Sequence, residues 1–330
     1  GEVLGLWLGA IADIVPSAAS AHWDILRQDL RFIARSLRKS PGFALTAILV
    51  TTLGVGANAA SFAVTDFALI RPLPYSDADR LVQLWETAPG YDQLELAPGN
   101  YRDWRERTRS FESMGAYIGL AANLIGGDVP ERVDFAVVEK SVFETLRVEP
   151  LLGRRFSDDD VAGGGRPAIL SHAFWQSRFG GDPSILGRNI TLDDHVHQVI
   201  GVMGPEFRFP SARTKLWVGM AFREEQLSGR AARVDHSYLV VARLRPGVTP
   251  AGAETELRAV AKELATSHPA TNRESGAKVG DLRDGLSARN RTLLWSLSGA
   301  SLCILLIACA NLGNLLLARG LARRQELAVR

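Results

Sequence analysis

The sequence has only two cysteines among its 330 residues, Cys303 and Cys309, and both lie in one apolar segment. It therefore has no disulfide framework, and we expect the two thiols to act as small packing residues. A surplus of charge is also missing, since 38 basic side chains stand against 36 acidic ones. No basic stripe is present of the kind that a nucleic-acid-binding domain needs, so we expect no nucleic-acid partner.

Motifs for nucleotide and acyl chemistry are missing too. A phosphate-binding loop needs glycines ahead of a Lys-Ser or Lys-Thr pair, and neither Lys39-Ser40 nor Lys140-Ser141 has them. The sequence contains no Gly-x-Ser-x-Gly elbow for a nucleophilic serine. We therefore expect that the chain is not an enzyme, does not hydrolyse ATP and needs no cofactor.

Two patterns resemble metal sites. The run DDHVH at 193–197 would place His195 and His197 on one face of a strand, and imidazole with carboxylate suits zinc. The alternative is a polar hairpin turn with exposed histidines, which we favour because further ligands would have to come from distant residues. The acidic run at 158–160 lacks the alternating ligand spacing of a calcium loop, so a solvated turn or helix cap is the better interpretation. We expect no metal site.

Long apolar runs are present instead, at 43–65 and 292–318. About 20 apolar residues suffice for a helix to cross the hydrocarbon core of a bilayer, and neither run contains a charged residue. We predict transmembrane helices at 43–66 and 292–318. The alternative for such a run is a buried core helix of a large soluble protein.

The charge distribution indicates a direction of insertion. Residues 24–43 hold five basic and two acidic side chains, 319–330 hold four and one, and 67–291 hold 29 and 30. Basic flanks are typical of the cytoplasmic side. We therefore expect 1–42 to be a cytoplasmic lead-in with an amphipathic basic helix, and 67–291 to lie outside. A cleaved signal peptide at 1–22 is the alternative, but no basic residue precedes its apolar run.

Small and amide residues interrupt both apolar runs. Small residues let helix backbones approach closely in lipid, and amides bond between helices. We predict helix packing by the following residues: Gly54, Gly56, Asn58, Ala60, Asn311, Gly313 and Asn314.

The segment between the spans alternates strand and helix patterns. Strands are predicted near 80–86, 113–125, 131–138, 168–171, 189–192, 196–202 and 237–243, and helices near 98–109, 140–146 and 173–179. Thr249 and Pro250 are suited to begin another helix. We predict an α+β domain in which 78–149 and 236–270 form one part and 150–235 form an inserted lobe.

Several motifs carry a family resemblance. They are DLRFIARSLRKSPGF at 29–43, LGVGAN at 53–58, RPLPY at 71–75, YRDW at 101–104, FWQSRFGGDP at 174–183, VIGVM at 199–203 and NLGNLLLAR at 311–319. In this order, around two spans, the sequence resembles the MacB/FtsX-like ABC transporter permeases, and within them the duplicated orphan permeases of acidobacteria. The resemblance runs from about residue 24 to the end.

The resemblance implies a periplasmic core domain with a Porter-like subdomain and an inserted Sabre-like lobe. It also implies a separate ABC ATP-binding subunit, a second permease copy or half, a periplasmic adaptor and a multi-pass location in the bacterial inner membrane. By position, contact with the ATPase falls to Arg319, Arg323, Arg324, Glu326 and Arg330. The segment 319–330 is the start of the family's cytoplasmic portion, so we expect the chain to be the N-terminal part of a longer permease.

Three alternative functions follow from these features. The first is a permease subunit that couples an ATPase to the periplasmic domain, for efflux or force transmission without covalent chemistry. The second is a membrane-anchored periplasmic binding or adaptor module without a transport role. The third is an outward-facing metal hydrolase that uses His195 and His197. The small and amide residues of the spans favour the first, because an anchor needs no helix partners.

Overall fold

A computed structural model describes residue 27 and residues 41–66, 73–126, 130–161 and 165–328. For Phe43 and for residues 284–292, 315, 316 and 318–328 it describes the backbone alone. The chain divides into two compact units, Gly1–Ala68 with Asn290–Arg330, and Leu69–Arg289. Apart from Arg27, the amphipathic helix expected within 1–42 lies outside the described residues.

Two helices make up the described part of the first unit. They are α1 (Pro41–Thr65) and α10 (Leu282–Ala328), the first residues of which belong to the second unit. Within them, Ala44–Thr65 and Leu293–Asn314 are each 22 residues long, with mean hydropathies of 1.7 and 2.1. Only 11% and 17% of these stretches are buried. A core helix of a soluble protein would be mostly buried, so this alternative does not fit.

The second unit is built on one mixed sheet of 11 strands. Its main order is β11-β1-β10-β3-β4-β9-β6-β8-β5, while β2 pairs with β1 and β7 pairs with β3 and β8. The strands are β1 (Leu81–Ala88), β2 (Tyr91–Leu94), β3 (Phe111–Ile125), β4 (Glu131–Glu139), β5 (Leu152–Gly153), β6 (Pro167–Leu170), β7 (Asn189–Leu192), β8 (His195–Val202), β9 (Leu216–Met220), β10 (Leu239–Leu244) and β11 (Gly276–Asp281).

Helices cover this sheet or connect its strands. They are α2 (Pro98–Arg107), α3 (Lys140–Leu146), α4 (Asp158–Val161), α5 (His172–Phe179), α6 (Glu224–Leu227), α7 (Ala231–Val234), α8 (Pro250–Ser267) and α9 (Pro269–Asn272). The longest, α8, begins where the sequence indicates, because the Thr249 side chain accepts a hydrogen bond from the Gly252 amide and Pro250 occupies the first turn.

The lobe at 150–235 continues the same sheet. Its strand β9 pairs in parallel with β4, from Phe135 opposite Leu216 to Glu139 opposite Met220. Its hairpin strand β7 also pairs with the end of β3. The lobe therefore shares a backbone hydrogen-bond ladder with the strands that precede it.

Three buried clusters form the core. The first lies between α2, α8 and the β1–β10 part of the sheet, the second surrounds Phe143, Phe207 and Trp217, and the third lies in the lobe around Phe174 and Trp175. The second cluster also contains Leu282, the first residue of α10, which is fully buried.

Candidate functional site

The two apolar helices contact each other in antiparallel orientation. Gly54 of α1 lies against Leu305 and Ala308 of α10, and a Cβ atom at Gly54 would stand 3.0 Å from the Ala308 Cβ. Nearer the other end of α1, Thr65 lies beside Ser298. Glycine at position 54 therefore lets the two backbones approach closely.

Polar bonds join the helices along the same line. The Asn58 side-chain amide donates to the Ser301 carbonyl at 2.8 Å and to the Gly54 carbonyl of its own helix at 3.0 Å. The hydroxyl oxygens of Thr65 and Ser298 stand 3.1 Å apart. An amide in an apolar segment is costly unless bonded, so these contacts stabilise this pairing over others.

The contacting residues recur with a regular spacing. On α1 they are Gly54, Asn58 and Thr65, with the buried Ser61 between them, and on α10 they are Ser298, Ser301, Leu305 and Ala308, with the buried Leu294 before them. Steps of three and four residues keep one face of each helix turned to the other, as in a left-handed helical pair. We call these nine residues the helix seam.

Other residues singled out from the sequence lie off the helix seam. No described atom comes within 4 Å of a Cβ built on Gly56 or Gly313. Ala60, Asn311 and Asn314 are exposed. Packing by these five residues stays a prediction, and it would require helices other than this pair.

Large apolar side chains cover the remaining faces of both helices. Leu53 is 70% exposed, Phe62 66%, Leu293 68% and Trp295 62%. Exposed apolar surface of this extent marks a site of contact with lipid or with other protein. The two helices therefore have the surface of membrane spans.

The first and the last strand of the sheet domain are neighbours. Val82, at the start of β1, is the register partner of Asp281, at the end of β11. The Asp281 carboxylate accepts a hydrogen bond at 2.7 Å from the Arg283 amide, so β11 passes directly into α10 through a capped first turn. The sheet domain thus has its entrance and its exit side by side.

A charged cluster fixes the entrance strand. The Arg147 guanidinium contacts the carboxylates of Asp77 at 2.8 Å and Glu112 at 2.7 Å, and Arg80 also pairs with Glu112. The hydrogen bond from Arg147 is the main reason that the pKa of Glu112 is lowered. Behind them the fully buried Arg243 donates to the Thr145 carbonyl at 2.8 Å. This cluster ties the segment before β1 to β3 and α3.

The residues predicted to contact an ATPase lie near the end of α10. The helix continues to Ala328, so the backbone at Arg319, Arg323, Arg324 and Glu326 is helical. Their side chains, and all of Arg330, lie outside the described residues. Their role stays a prediction.

The histidine pair takes a different position from the one expected for a solvated turn. His195, the first residue of β8 beside the turn, is exposed as expected, whereas His197, further along the same face of the strand, is buried. Burial, with smaller effects of Arg166 and His195, lowers the pKa of His197 to about 4. Within the described ranges, no three His, Cys, Asp or Glu residues are grouped so that they could hold a metal ion.

The acidic run at 158–160 forms the short helix α4. The Asp160 carboxylate accepts hydrogen bonds at 2.8 Å from both the Ser157 amide and the Ser157 hydroxyl, and it pairs with Arg154. The hydrogen bond from Arg154 is the main reason that the pKa of Asp160 is strongly lowered. This carboxylate is engaged in holding its own loop.

The fold and the helix seam define a class of protein: a mixed α/β domain placed between two helices suited to a membrane. The family model of the MacB-like periplasmic core domain matches residues 44–260. The chain therefore belongs to this family, and so to the permease components of ABC transporters. No curated protein sequence matches the chain.

Solved structures of similar domains are known. A domain of a permease from Porphyromonas gingivalis has 18% identity and a TM-score of 0.49, covering 63% of this chain and 92% of that one. The extracellular domain of the noncanonic ABC-type transporter YknZ from Gram-positive bacteria has 14% identity and a TM-score of 0.44, with coverages of 60% and 98%. The periplasmic region of MacB from Actinobacillus actinomycetemcomitans has 12% identity and a TM-score of 0.44, with coverages of 69% and 97%.

Proposed function

We propose that the chain belongs to a permease subunit that couples a separate ABC ATPase to the sheet domain on the periplasmic side. The observation that carries this proposal is the continuity of α10. The helix begins with the buried Leu282 of the domain core, contains the apolar stretch Leu293–Asn314 and ends in the basic segment 319–328.

The sequence of α10 suits transmission of a movement. It contains no proline over its 47 residues, so no backbone hydrogen bond is missing because of a residue without an N–H group. The capped start at Asp281 joins it to β11 without a flexible loop. A displacement at the cytoplasmic end is therefore delivered to a strand of the sheet.

The pairing of β1 with β11 is the part of the sheet on which we expect the movement to act. The two strands pair over six successive positions, from Val82 with Asp281 to Thr87 with Gly276. A shift of α1 relative to α10 would first strain the hydrogen bonds between these two strands. The charged cluster around Arg147 would carry the load from the segment before β1 to β3 and α3.

The exposed apolar faces indicate what surrounds the pair. We propose that lipid of the bacterial inner membrane and a second permease copy or half cover them, with Gly56, Ala60, Asn311, Gly313 and Asn314 at the further helix contacts. A periplasmic adaptor is the proposed partner of the sheet domain. A simple anchor would not need the bond between Asn58 and Ser301.

Co-purification with the ATPase subunit of the host tests the coupling. The chain is expressed in its native host, and the ATPase that accompanies it is quantified for the parent and for Arg323→Glu combined with Arg324→Glu. We expect at least a tenfold loss of ATPase with the double variant. The matched control is Arg178→Glu with Arg273→Glu, which reverses two exposed arginines of the sheet domain and should retain the ATPase.

Two outcomes contradict the proposal. One is an ATPase yield that does not change with the 323/324 double variant. The other is cleavage of the sheet domain by a protease added to the cytoplasmic side of sealed vesicles, which would reverse the proposed topology.

A further inference from the structure

A cavity of about 410 Å³ opens in the sheet domain where α2, the α6–α7 segment and the start of α9 meet. Its volume lies within the range of small-molecule pockets. The lining residues are Arg102, Leu227, Ser228, Gly229, Arg230, Arg233, Ser267, His268, Pro269, Ala270 and Thr271. We call this the arginine cavity.

The lining is basic. It includes three arginines and one histidine but no carboxylate. Arg102 is bonded at 3.0 Å to Glu224, whose side chain is 78% exposed, and Arg233 pairs with Asp103 behind the wall. The guanidinium of Arg230 is exposed and has no ion-pair partner in the described part of the chain. The cavity therefore offers one positive charge, that of Arg230, which no described carboxylate neutralises, beside two arginines that are already paired.

The pKa of His268, which also lines the cavity, is lowered. Burial is the largest cause of its lowered pKa, and the Arg233 charge lowers it further. A second positive charge is thus disfavoured beside the first. An anion in the cavity would relieve this repulsion.

A buried amide side chain joins the three elements around the arginine cavity, which are α2, the α6–α7 segment and α9. Asn100 of α2 is 1% exposed, and its Oδ1 accepts hydrogen bonds from Arg233 at 2.8 Å and from Asn272 of α9 at 2.9 Å. Its amide group donates at 2.9 Å to Glu86. Beside it, Gly99 permits the close approach of α7, since a Cβ there would stand 3.0 Å from the Ala232 carbonyl oxygen. Arg233 is therefore held in place before any ligand arrives.

We propose that the arginine cavity binds a small organic anion through a phosphate or carboxylate group. Arginine presents a planar fork of donors that matches both groups, and fixed donors lose less freedom on binding. The hydroxyls of Ser228, Ser267 and Thr271 supply further donors, and Leu227, Pro269 and Ala270 give the ligand an apolar wall. The site is a property of the sheet domain and does not depend on the coupling proposed above.

Calorimetric titration of the full chain in phosphatidylcholine nanodiscs tests the site. The probes are inorganic phosphate, glycerol 3-phosphate, citrate and short-chain phosphatidic acid. We expect saturable binding of at least one probe, at least tenfold weaker in Arg230→Gln. Arg178→Gln, which removes an exposed arginine elsewhere in the domain, should change the affinity less than twofold. A tenfold change corresponds to about 1.4 kcal/mol.

The probes distinguish the source of the anion. Binding of glycerol 3-phosphate or citrate supports a soluble ligand, and binding of phosphatidic acid alone supports a lipid headgroup. Both outcomes support the recognition chemistry. The proposal is wrong if none of the probes binds saturably. It is also wrong if the affinity is the same in Arg230→Gln and the parent chain. His268→Gln provides a second variant and should also weaken binding.

Discussion

Val82 and Asp281 are register partners in adjacent antiparallel strands, although 198 residues of chain separate them in sequence. Val82 lies in the first strand of the sheet domain, and Asp281 is the final residue of its last strand. The first and the last strand of the sheet domain are therefore neighbours on one hydrogen-bond ladder.

The bond between Asn58 and Ser301 should stabilise the helix pair. Asn58→Ala removes it, and we expect the free energy of unfolding to fall by about 0.6 kcal/mol and by no more than about 2 kcal/mol, the range found for hydrogen bonds between membrane helices. Unfolding of the full chain in mixed micelles with increasing SDS measures the change. Thr52→Ala removes an exposed polar side chain of the same helix and serves as the control. An equal loss in both variants would contradict the role of Asn58.

The close approach at Gly54 should not tolerate a large side chain. Gly54→Leu would collide with Ala308 and separate the helices, whereas Gly56→Leu meets no described atom within 4 Å. The measurement uses cysteines at Thr65 and Ser298, with Cys303 and Cys309 replaced by alanine. Their oxidative cross-linking should decrease at least fivefold in Gly54→Leu and stay unchanged in Gly56→Leu. Efficient cross-linking in both would show that the helices meet elsewhere.

A second glycine should be needed where α3 crosses β3. A Cβ at Gly115 would stand 2.5 Å from the Val142 backbone nitrogen, so Gly115→Ala forces the helix away. We expect a loss of about 1–3 kcal/mol, as for other overpacked sites. Gly119→Ala, on the same strand with no atom within 4 Å, should have little effect. Denaturation followed by tryptophan fluorescence compares the two variants.

The buried carboxyl of Glu86 should make stability depend on pH. Burial is the main cause that raises its pKa to about 7, and it is opposed by hydrogen bonds from Ala97 and Asn100 and by the charges of His236 and Arg233. A raised pKa in the folded state means that the stabilisation is complete below about pH 4.5. It is lost as the pH rises through about 7, by about 3 kcal/mol.

Thermal or denaturant unfolding between pH 4.5 and pH 8 measures this contribution. We expect the slope to become smaller in Glu86→Gln and to persist in Glu95→Gln, which alters an exposed carboxyl nearby. A slope that Glu86→Gln leaves intact would assign the pH dependence to other groups.

Much of the fold follows from local pattern. The helix α3 has the predicted bounds, and α8 begins at its predicted cap, because capping and apolar spacing act over a few residues. The strands β3, β4, β7 and β8 agree with their predictions to within two residues. In contrast, β2, β5, β9 and β11 were not predicted. The segment GAKVGD of β11 lacks regular alternation and becomes a strand because β1 pairs with it.

The helix seam shows the same limit at the candidate site. Gly54 and Gly56 are equally small, and only the position of Ala308 determines which of them makes a contact. Ser301 and Ala308 were not among the predicted packing residues, and only their spacing of seven, with Leu294 a further seven residues earlier, could have indicated them. His195 and His197 lie on the same side of β8, and only His197 is buried, because His195 stands at the end of the strand beside the turn. Composition does not encode such choices between faces.

The parallel pairing of β4 with β9 has a consequence for protein engineering. The lobe at 150–235 cannot be exchanged as a cassette, because its removal would uncover the β4 edge from Phe135 to Glu139. A chimera with a related permease should keep β3, β4 and the lobe from one parent. Junctions should instead be placed in the turn before α8, at residues 245–249, where the chain has left the sheet.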